Sequence, residues 1–170
     1  FTHPGKKLLF MGSEFAQENE WNFRTSLEWS NAKNQLNSKF LKFVHDINEL
    51  YRTKRALYEL DSSYEGFEWV DFRDTDQSVI GFIRKPKDGS CFILAVCNMT
   101  PVPRYDYRVG VPEQGFYKEI LNSDAVDYGG SGAGNLGGVS SEQVSWHGRP
   151  HSINLTLPPL GIAVFEIQRS

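Results

Sequence analysis

The chain has 170 residues with a net charge of −3, and 39% of them are hydrophobic, 23% charged and 14% aromatic. These values are typical of a globular protein. The absence of a basic stripe argues against nucleic acid as a partner, and no apolar run approaches the roughly 20 residues of a membrane span. The aromatic residues suit either a β-rich core or a surface that stacks on sugars.

The first element in chain order is a short apolar run. Residues 8–11 (LLFM) stand between two lysines and Gly12, which is the pattern of a strand buried on both faces, as in a parallel sheet. We therefore predict a strand over residues 7–12. Glu14 follows it at once, and an acidic residue just past a barrel strand lies on the face where such barrels do their chemistry. No strand precedes this one, so we expect a chain that begins within a larger fold.

After a polar loop over residues 13–33, apolar residues recur at helical spacing and predict an amphipathic helix over residues 35–54. From residue 60 the hydrophobic period changes, and seven short strands are predicted between turn residues. They are 67–72, 78–84, 91–98, 107–111, 116–121, 152–157 and 162–167. Asp88-Gly89 is the signal of a tight hairpin. This pattern predicts a mainly β fold, an antiparallel β-sandwich.

Several long blocks, kept in order along the chain, resemble the bacterial glycogen branching enzymes, which are 1,4-α-glucan branching enzymes of the α-amylase superfamily. The blocks are residues 5–22, 26–29, 65–70, 98–103, 122–124, 128–132, 146–152 and 157–160. The resemblance implies that residues 1–58 are the last strand, loop and helix of a truncated catalytic (β/α)8 barrel, and that residues 59–170 form a C-terminal β-sandwich domain. The alternative is a glucan-binding or purely structural accessory domain of another enzyme of the superfamily.

The resemblance also implies an activity for the complete enzyme. It would cleave an α-1,4-glucan through a covalent glycosyl-enzyme intermediate and re-attach the chain by an α-1,6 bond in glycogen biosynthesis, with no cofactor. The family's catalytic carboxylates come from earlier barrel strands and no motif here matches them, so we expect no catalytic residue in this chain and no activity from it alone. The expected partners are the α-1,4-glucan and the N-terminal barrel of the same protein.

Six residues are candidate contacts to glucan, because flat aromatic faces suit the apolar faces of glucose rings and polar neighbours bind hydroxyl groups. They are Glu14, Phe15, Trp21, Asn22, Trp29 and Trp146. Packing of Trp29 onto the sandwich is an equal alternative. For residues 146–149 and 128–130, a structural anchor between sheets is favoured over an outlying glucan contact, because indole and guanidinium groups are costly to leave unpaired.

Three further patterns carry little chemistry. Residues 132–137 fit the G-x-G-x-x-G spacing but lack the flanking strand and helix of a dinucleotide site, which favours a flexible surface loop. His147 and His151 are four residues apart, but Gly148 and Pro150 between them forbid a helix, so no metal site is expected. The two cysteines are expected to be free thiols, which fits a reducing cytoplasm.

Overall fold

The structure, a computed structural model, describes residues 1–169. Two α-helices precede the strands, α1 (Gln35–Thr53) and α2 (Arg55–Tyr58). Eight strands follow: β1 (Phe67–Asp74), β2 (Val79–Arg84), β3 (Ile93–Asn98), β4 (Arg104–Val111), β5 (Phe116–Asn122), β6 (Gly138–Ser140), β7 (His151–Leu157) and β8 (Gly161–Gln168). Among residues 1–169, no helix has both the length and the apolar character that crossing a membrane requires.

The strands form two sheets that pack face to face. The larger sheet has the order β1-β2-β3-β8-β5-β6, and the smaller pairs β4 with β7. Every neighbouring pair is antiparallel. The antiparallel β-sandwich predicted from the sequence is therefore confirmed.

The larger sheet is buried on both faces at its centre. Side chains alternate along a strand, so in β3 Leu94 faces the small sheet while Ile93 faces the helices. In β8, Phe165 likewise faces the small sheet and Val164 faces the helices. The molecule thus has three layers, with the helices on one face of the large sheet and the small sheet on the other.

Most of the predicted elements are confirmed with small shifts of their ends. Each of the seven predicted strands is present, and the predicted helix over 35–54 is α1. The strand β6 was not predicted, because three residues that begin with glycine carry no alternating pattern. The predicted hairpin joins β2 to β3, but it is not tight, since Arg84 pairs with Ile93 and residues 85–92 form the connection.

The strand predicted over residues 7–12 is wrong for this structure. The segment has no regular secondary structure, and Leu8 is 84% exposed. No strand among the described residues lies beside it, so its backbone groups lack the partners that a sheet requires. Its apolar side chains therefore remain at the surface instead of entering a core.

The N-terminal segment is nevertheless fixed to the sandwich by a buried arginine at the end of β2. The side chain of Arg84 is completely buried. Its guanidinium group donates to the carbonyl oxygens of Thr2 (2.6 Å), Leu57 (3.1 Å) and Gly66 (3.2 Å). It also donates to the carboxylate of Asp61 at 2.9 Å. One side chain therefore joins the N-terminus, α2 and the turn before β1.

Asp61 extends this network towards α1. Its carboxylate accepts hydrogen bonds from the backbone N–H of Gly5 (3.1 Å), the ammonium group of Lys7 (3.2 Å) and the hydroxyl of Tyr51 (3.1 Å). Burial alone would raise the pKa of Asp61, but its hydrogen bonds from Arg84, Lys7 and Tyr51 hold that pKa below its ordinary value. The carboxylate is therefore ionised at neutral pH and compensates the buried guanidinium.

Replacing Arg84 with Met should lower the free energy of unfolding by about 3–5 kcal/mol, because one partner of a buried ion pair is removed and three carbonyl oxygens lose their donor. Urea denaturation followed by circular dichroism measures this change. Arg73→Met is the matched control, since Arg73 is exposed and pairs with Asp71 at the surface, and its effect should stay below about 0.5 kcal/mol. Equal effects of the two substitutions would contradict this account.

Candidate functional site

The loop before α1 presents an exposed indole beside a cavity. The cavity has a volume of about 480 Å³ and is lined by residues 10–13, 17 and 19–21. The indole of Trp21 is 42% exposed and meets the ring of Phe10 edge to face, with 5.3 Å between the ring centroids. An exposed aromatic face with the amides of Gln17 and Asn19 nearby is an arrangement that suits a sugar.

Hydrogen bonds hold this loop in shape. The backbone N–H of Gln17 donates to the carbonyl oxygen of Gly12 at 3.0 Å, and Gly12 has the left-handed conformation (φ 86°) that this turn requires. The side-chain oxygen of Gln17 accepts from the N–H of Glu28 at 3.0 Å. The Asn37 amide of α1 donates to the carbonyl oxygens of Phe15 and Ala16 at 2.9 and 3.1 Å. The loop is therefore attached to the helix.

The predicted contacts in this loop do not converge on the cavity. Phe15 is completely buried, and its ring lies 5.1 Å from that of Trp29, so it supports Trp29 and is not available to a ligand. Trp29 is exposed and Glu14 is half-buried. The side-chain oxygen of Asn22 accepts from the N–H of Arg24 at 3.0 Å. Of the predicted residues, only Trp21 lines the cavity.

Trp146 lies at a second cavity, on the sandwich itself. This cavity has a volume of about 490 Å³ and is lined by Asp74, Gln77, residues 105–108, Trp146 and His147. We call it the β1–β4 cleft, because Asp74 ends β1 and residues 105–108 belong to β4. It shares no lining residue with the cavity at Trp21. The structure thus divides the predicted contacts between two places.

Residues 146–149 form a turn that joins the two sheets. The backbone N–H of Trp146 donates to the carbonyl oxygen of Arg149 at 3.0 Å, and the reverse bond is 2.9 Å. The guanidinium group of Arg149 pairs with Glu68 and donates to the carbonyl oxygen of Trp69 at 3.3 Å, both in β1. The N–H of Gly110 in β4 donates to Nδ1 of His147 at 3.3 Å. The turn therefore contacts both sheets, which is the arrangement expected of an anchor between them.

His147 is a neutral imidazole in this anchor. Burial lowers its pKa, and the carboxylate of Asp71, 3.7 Å from Nε2, offsets only part of that effect. A neutral ring is required in any case, since Nδ1 accepts the hydrogen bond from Gly110. Nearby, the hydroxyl of Tyr107 donates to the carboxylate of Asp74 at 2.8 Å, and burial raises the pKa of this tyrosine.

The second motif, at residues 128–130, is also an anchor, but it joins α1 to a loop and not sheet to sheet. The hydroxyl of Tyr128 donates to the carboxylate of Asp46 at 2.8 Å, and its ring meets that of Phe43 edge to face. The ammonium group of Lys42 lies 5.2 Å from the centre of the tyrosine ring. Hydrogen bonds from Lys42, His45 and Tyr128 lower the pKa of Asp46 to about 2, so this carboxylate stays charged.

The remaining sequence motifs are structural. The loop over residues 132–137 is fastened by Asn135, whose side chain donates to Glu119 at 2.8 Å and to the carbonyl oxygen of Thr156 at 3.1 Å. Within residues 1–169, no group of three or more His, Cys, Asp or Glu residues is placed to hold a metal ion. Cys91 and Cys97 are both free, as predicted.

Among the residues that line the β1–β4 cleft, Trp146 alone was a predicted site residue, and Tyr105 and Asp106 show why the others were not predicted. Tyr105 is 68% exposed and Asp106 has a φ of 54°, and both belong to the part of β4 before the predicted strand over 107–111. An irregular register between Arg104 and Tyr107 accompanies this conformation. Nothing in the residue types RYDY indicates such a distortion. The alternation of aromatic or apolar residues with polar ones in this segment would fit a regular strand without any distortion.

The anchor at residues 146–149 should depend on the absence of a side chain at Gly110. A Cβ atom there would overlap the carbonyl oxygen of Trp146, so Gly110→Ala should lower the free energy of unfolding by about 1–3 kcal/mol. It should also shift the indole N–H resonance of Trp146. In Gly81→Ala, the matched control, the new Cβ would lie 3.6 Å from the Cβ of Val70, an ordinary contact. Equal free energies of unfolding for Gly110→Ala and Gly81→Ala would contradict the packing described.

Comparison with known proteins gives a consistent result. A family model described as the alpha amylase C-terminal all-beta domain matches residues 69–168. Three relatives carry the name 1,4-alpha-glucan branching enzyme. They are 56% identical over 95% of this chain (Aquifex aeolicus), 53% over 97% (Burkholderia thailandensis) and 55% over 94% (Cereibacter sphaeroides). The chain spans only 26%, 20% and 22% of these relatives, respectively.

Proposed function

The chain belongs to the family of alpha-amylase C-terminal all-beta domains, and from that membership we propose that it is the C-terminal part of a 1,4-α-glucan branching enzyme. The observation that carries the proposal is identity above 50% to three relatives of that name over almost the whole chain. The complete protein would cleave an α-1,4-glucan and re-attach the released chain through an α-1,6 bond, with no cofactor. Its catalytic carboxylates would lie outside this chain.

In this proposal residues 1–58 complete a (β/α)8 barrel and residues 59–170 are the sandwich that braces it. The surface of the first part supports this division. Residues 8–11 expose their apolar side chains, and so do Leu36, Phe40 and Leu41 along one side of α1. Large apolar side chains exposed in this number are typical of a surface that packs against another part of a protein. Packed between neighbouring strands, residues 7–12 would gain the backbone partners that a strand requires.

The loop between the proposed strand and α1 would then serve the substrate cleft. Trp21 offers its exposed face to a glucose ring at the cavity beside Gln17 and Asn19. Trp29, Glu14 and Asn22 would contact the glucan further along the same loop. Phe15 would act through Trp29, since the two rings are in contact.

The proposed partners are an α-1,4-glucan and the barrel of the same protein, and the proposed location is the cytoplasm. The free thiols of Cys91 and Cys97 support a reducing compartment. The net charge of −3 argues against nucleic acid as a further partner.

A second candidate function is that of an accessory domain in another enzyme of the α-amylase superfamily. The family model supports this alternative, because its description names the C-terminal domain of alpha amylase and does not mention branching enzymes. In that case the fold would be the same, and the complete protein would form no new α-1,6 branches.

Iodine staining of amylose tests the proposed function. The full-length protein should lower the absorbance of the amylose–iodine complex and create α-1,6 bonds that isoamylase releases, whereas the chain of 170 residues alone should do neither. Loss of absorbance with the chain alone, or hydrolysis without new branches by the full-length protein, would contradict the proposal.

The role of the loop is tested in the full-length protein. Trp21→Ala should lower kcat/KM on amylose about tenfold, because a stacking contact worth about 1.4 kcal/mol is lost. Tyr64→Ala is the control, since Tyr64 is 88% exposed and lies outside both cavities, and its kcat/KM should be unchanged. Equal activity of both variants would exclude Trp21 from the substrate cleft.

A further inference from the structure

The tip of the loop before α1, residues 20–26, is held mainly from its base. All of these residues are exposed. Within residues 1–169, their hydrogen bonds stay inside the tip, where Asn22 is the acceptor. The indole of Trp21 does meet the ring of Phe10, but that ring is itself 54% exposed. The direction in which Trp21 points is therefore set by the chain on either side of the tip.

Glu28 closes this base. Its carboxylate accepts one hydrogen bond from the side-chain amide of Asn19, which precedes the tip, and another at 2.8 Å from the amide of Asn31, which follows it. Its backbone N–H donates to the side-chain oxygen of Gln17 at 3.0 Å. Gln17 in turn donates to the carbonyl oxygen of Asn19 at 2.9 Å. These four residues, which we call the loop clamp, therefore join the two sides of the base in one network.

We propose that Glu28 is a positioning residue for the glucan, which keeps the base of the loop tip closed and thereby holds the indole of Trp21 against the substrate. Glu28 does not line the cavity beside Trp21, whereas Gln17 and Asn19, to which it bonds, both do. It would act through them without touching the glucan. This role in the reaction rests on the proposed function, while the loop clamp itself is a feature of this chain.

The carboxylate also decides which atom of Asn19 is left for a ligand. A carboxylate only accepts hydrogen bonds, so it turns the NH2 group of Asn19 towards itself. No donor among residues 1–169 occupies the side-chain oxygen of Asn19. This oxygen is then the atom that can accept a hydrogen bond from a sugar hydroxyl group. Glu28 thus orients a polar group at the cavity as well as the indole.

Loss of the loop clamp should weaken substrate binding without slowing the chemical step. In the proposed function the catalytic carboxylates lie outside this chain, so Trp21 contacts the glucan away from the reacting atoms. An unclamped tip would have to be ordered when the substrate binds, and that ordering opposes binding. A contact made equally in the ground state and the transition state changes KM and leaves kcat unchanged.

Kinetics of the full-length protein on amylose test this role. Glu28→Ala should raise KM about fivefold at unchanged kcat. Glu28→Gln should stay within about twofold of the parent KM, because its amide keeps an acceptor for Asn19 and can donate to the side-chain oxygen of Asn31. Glu18→Ala is the matched control and should leave KM unchanged. Glu18 is exposed in the same loop, lies outside the cavity and makes no side-chain hydrogen bond within residues 1–169.

The double variant Trp21→Ala/Glu28→Ala separates positioning of Trp21 from other roles of Glu28. Its kcat/KM should equal that of Trp21→Ala, because both substitutions remove the same contact. Multiplication of the two single effects would mean that Glu28 acts elsewhere, such as through the adjacent Trp29, and would overturn the inference. The midpoint of thermal unfolding of each variant reports whether it is folded.

A second readout requires no branching activity and uses the chain of 170 residues. In ¹H–¹⁵N spectra the indole N–H of Trp21 should lose heteronuclear NOE in Glu28→Ala, because the unclamped tip moves on the picosecond to nanosecond timescale. It should keep its NOE in Glu28→Gln and Glu18→Ala. The indole N–H of Trp146, in the distant turn of the sandwich, should be the same in every variant.

An unchanged NOE of Trp21 in folded Glu28→Ala would overturn the inference, and so would an unchanged KM of that variant. Equal losses in Glu28→Ala and Glu28→Gln would exclude the hydrogen bonds of the loop clamp as the cause. If Trp21→Ala itself had no effect on kcat/KM, the proposed role of the loop would fail and this role of Glu28 with it. Absence of branching in the iodine assay would contradict the proposed function alone, since the NOE still tests the loop clamp.

Discussion

The buried guanidinium group of Arg84 is the constraint on which the rest of the structure depends. A charge removed from water must be compensated by partners, and here they come from three separate parts of the chain. The carbonyl oxygens of Thr2, Leu57 and Gly66 and the carboxylate of Asp61 converge on one group. The N-terminal segment and the turn before β1, which have little regular structure, are thereby attached to the large sheet through β2.

The loop that carries Trp21 is connected to this scaffold through α1, whereas the turn at Trp146 is held independently of it. The loop that carries Trp21 is attached to α1 through Asn37, and α1 is fixed to the sandwich by Tyr51 at Asp61 and by Tyr128 at Asp46. On the sandwich, a separate set of contacts holds the turn at Trp146 between the sheets. Hydrogen bonds therefore fix the backbone next to each exposed indole.

The sequence predicts those parts of the fold that local patterns control. Alternating side chains revealed the sandwich strands, and helical spacing revealed α1, because each pattern reports a face that must be buried. The prediction of a strand over residues 7–12 was wrong, because a strand that is buried on both faces needs neighbouring strands. A local apolar pattern does not show whether such strands are present. The partners of Arg84 lie up to 82 residues away, and no local pattern encodes them. The same holds for Tyr105 and Asp106, which share a cleft with Trp146 only through the folded sheet.

The most direct test of the central claim, that the Arg84 network joins the helices and the sandwich into one cooperative unit, is native-state hydrogen exchange in low urea. The account predicts that the most protected amides of α1 and those of β2 and β3 exchange through the same global unfolding, with equal free energies. Amides of α1 that open at a free energy about 2 kcal/mol or more below those of the sheet would show a separate unit and contradict it.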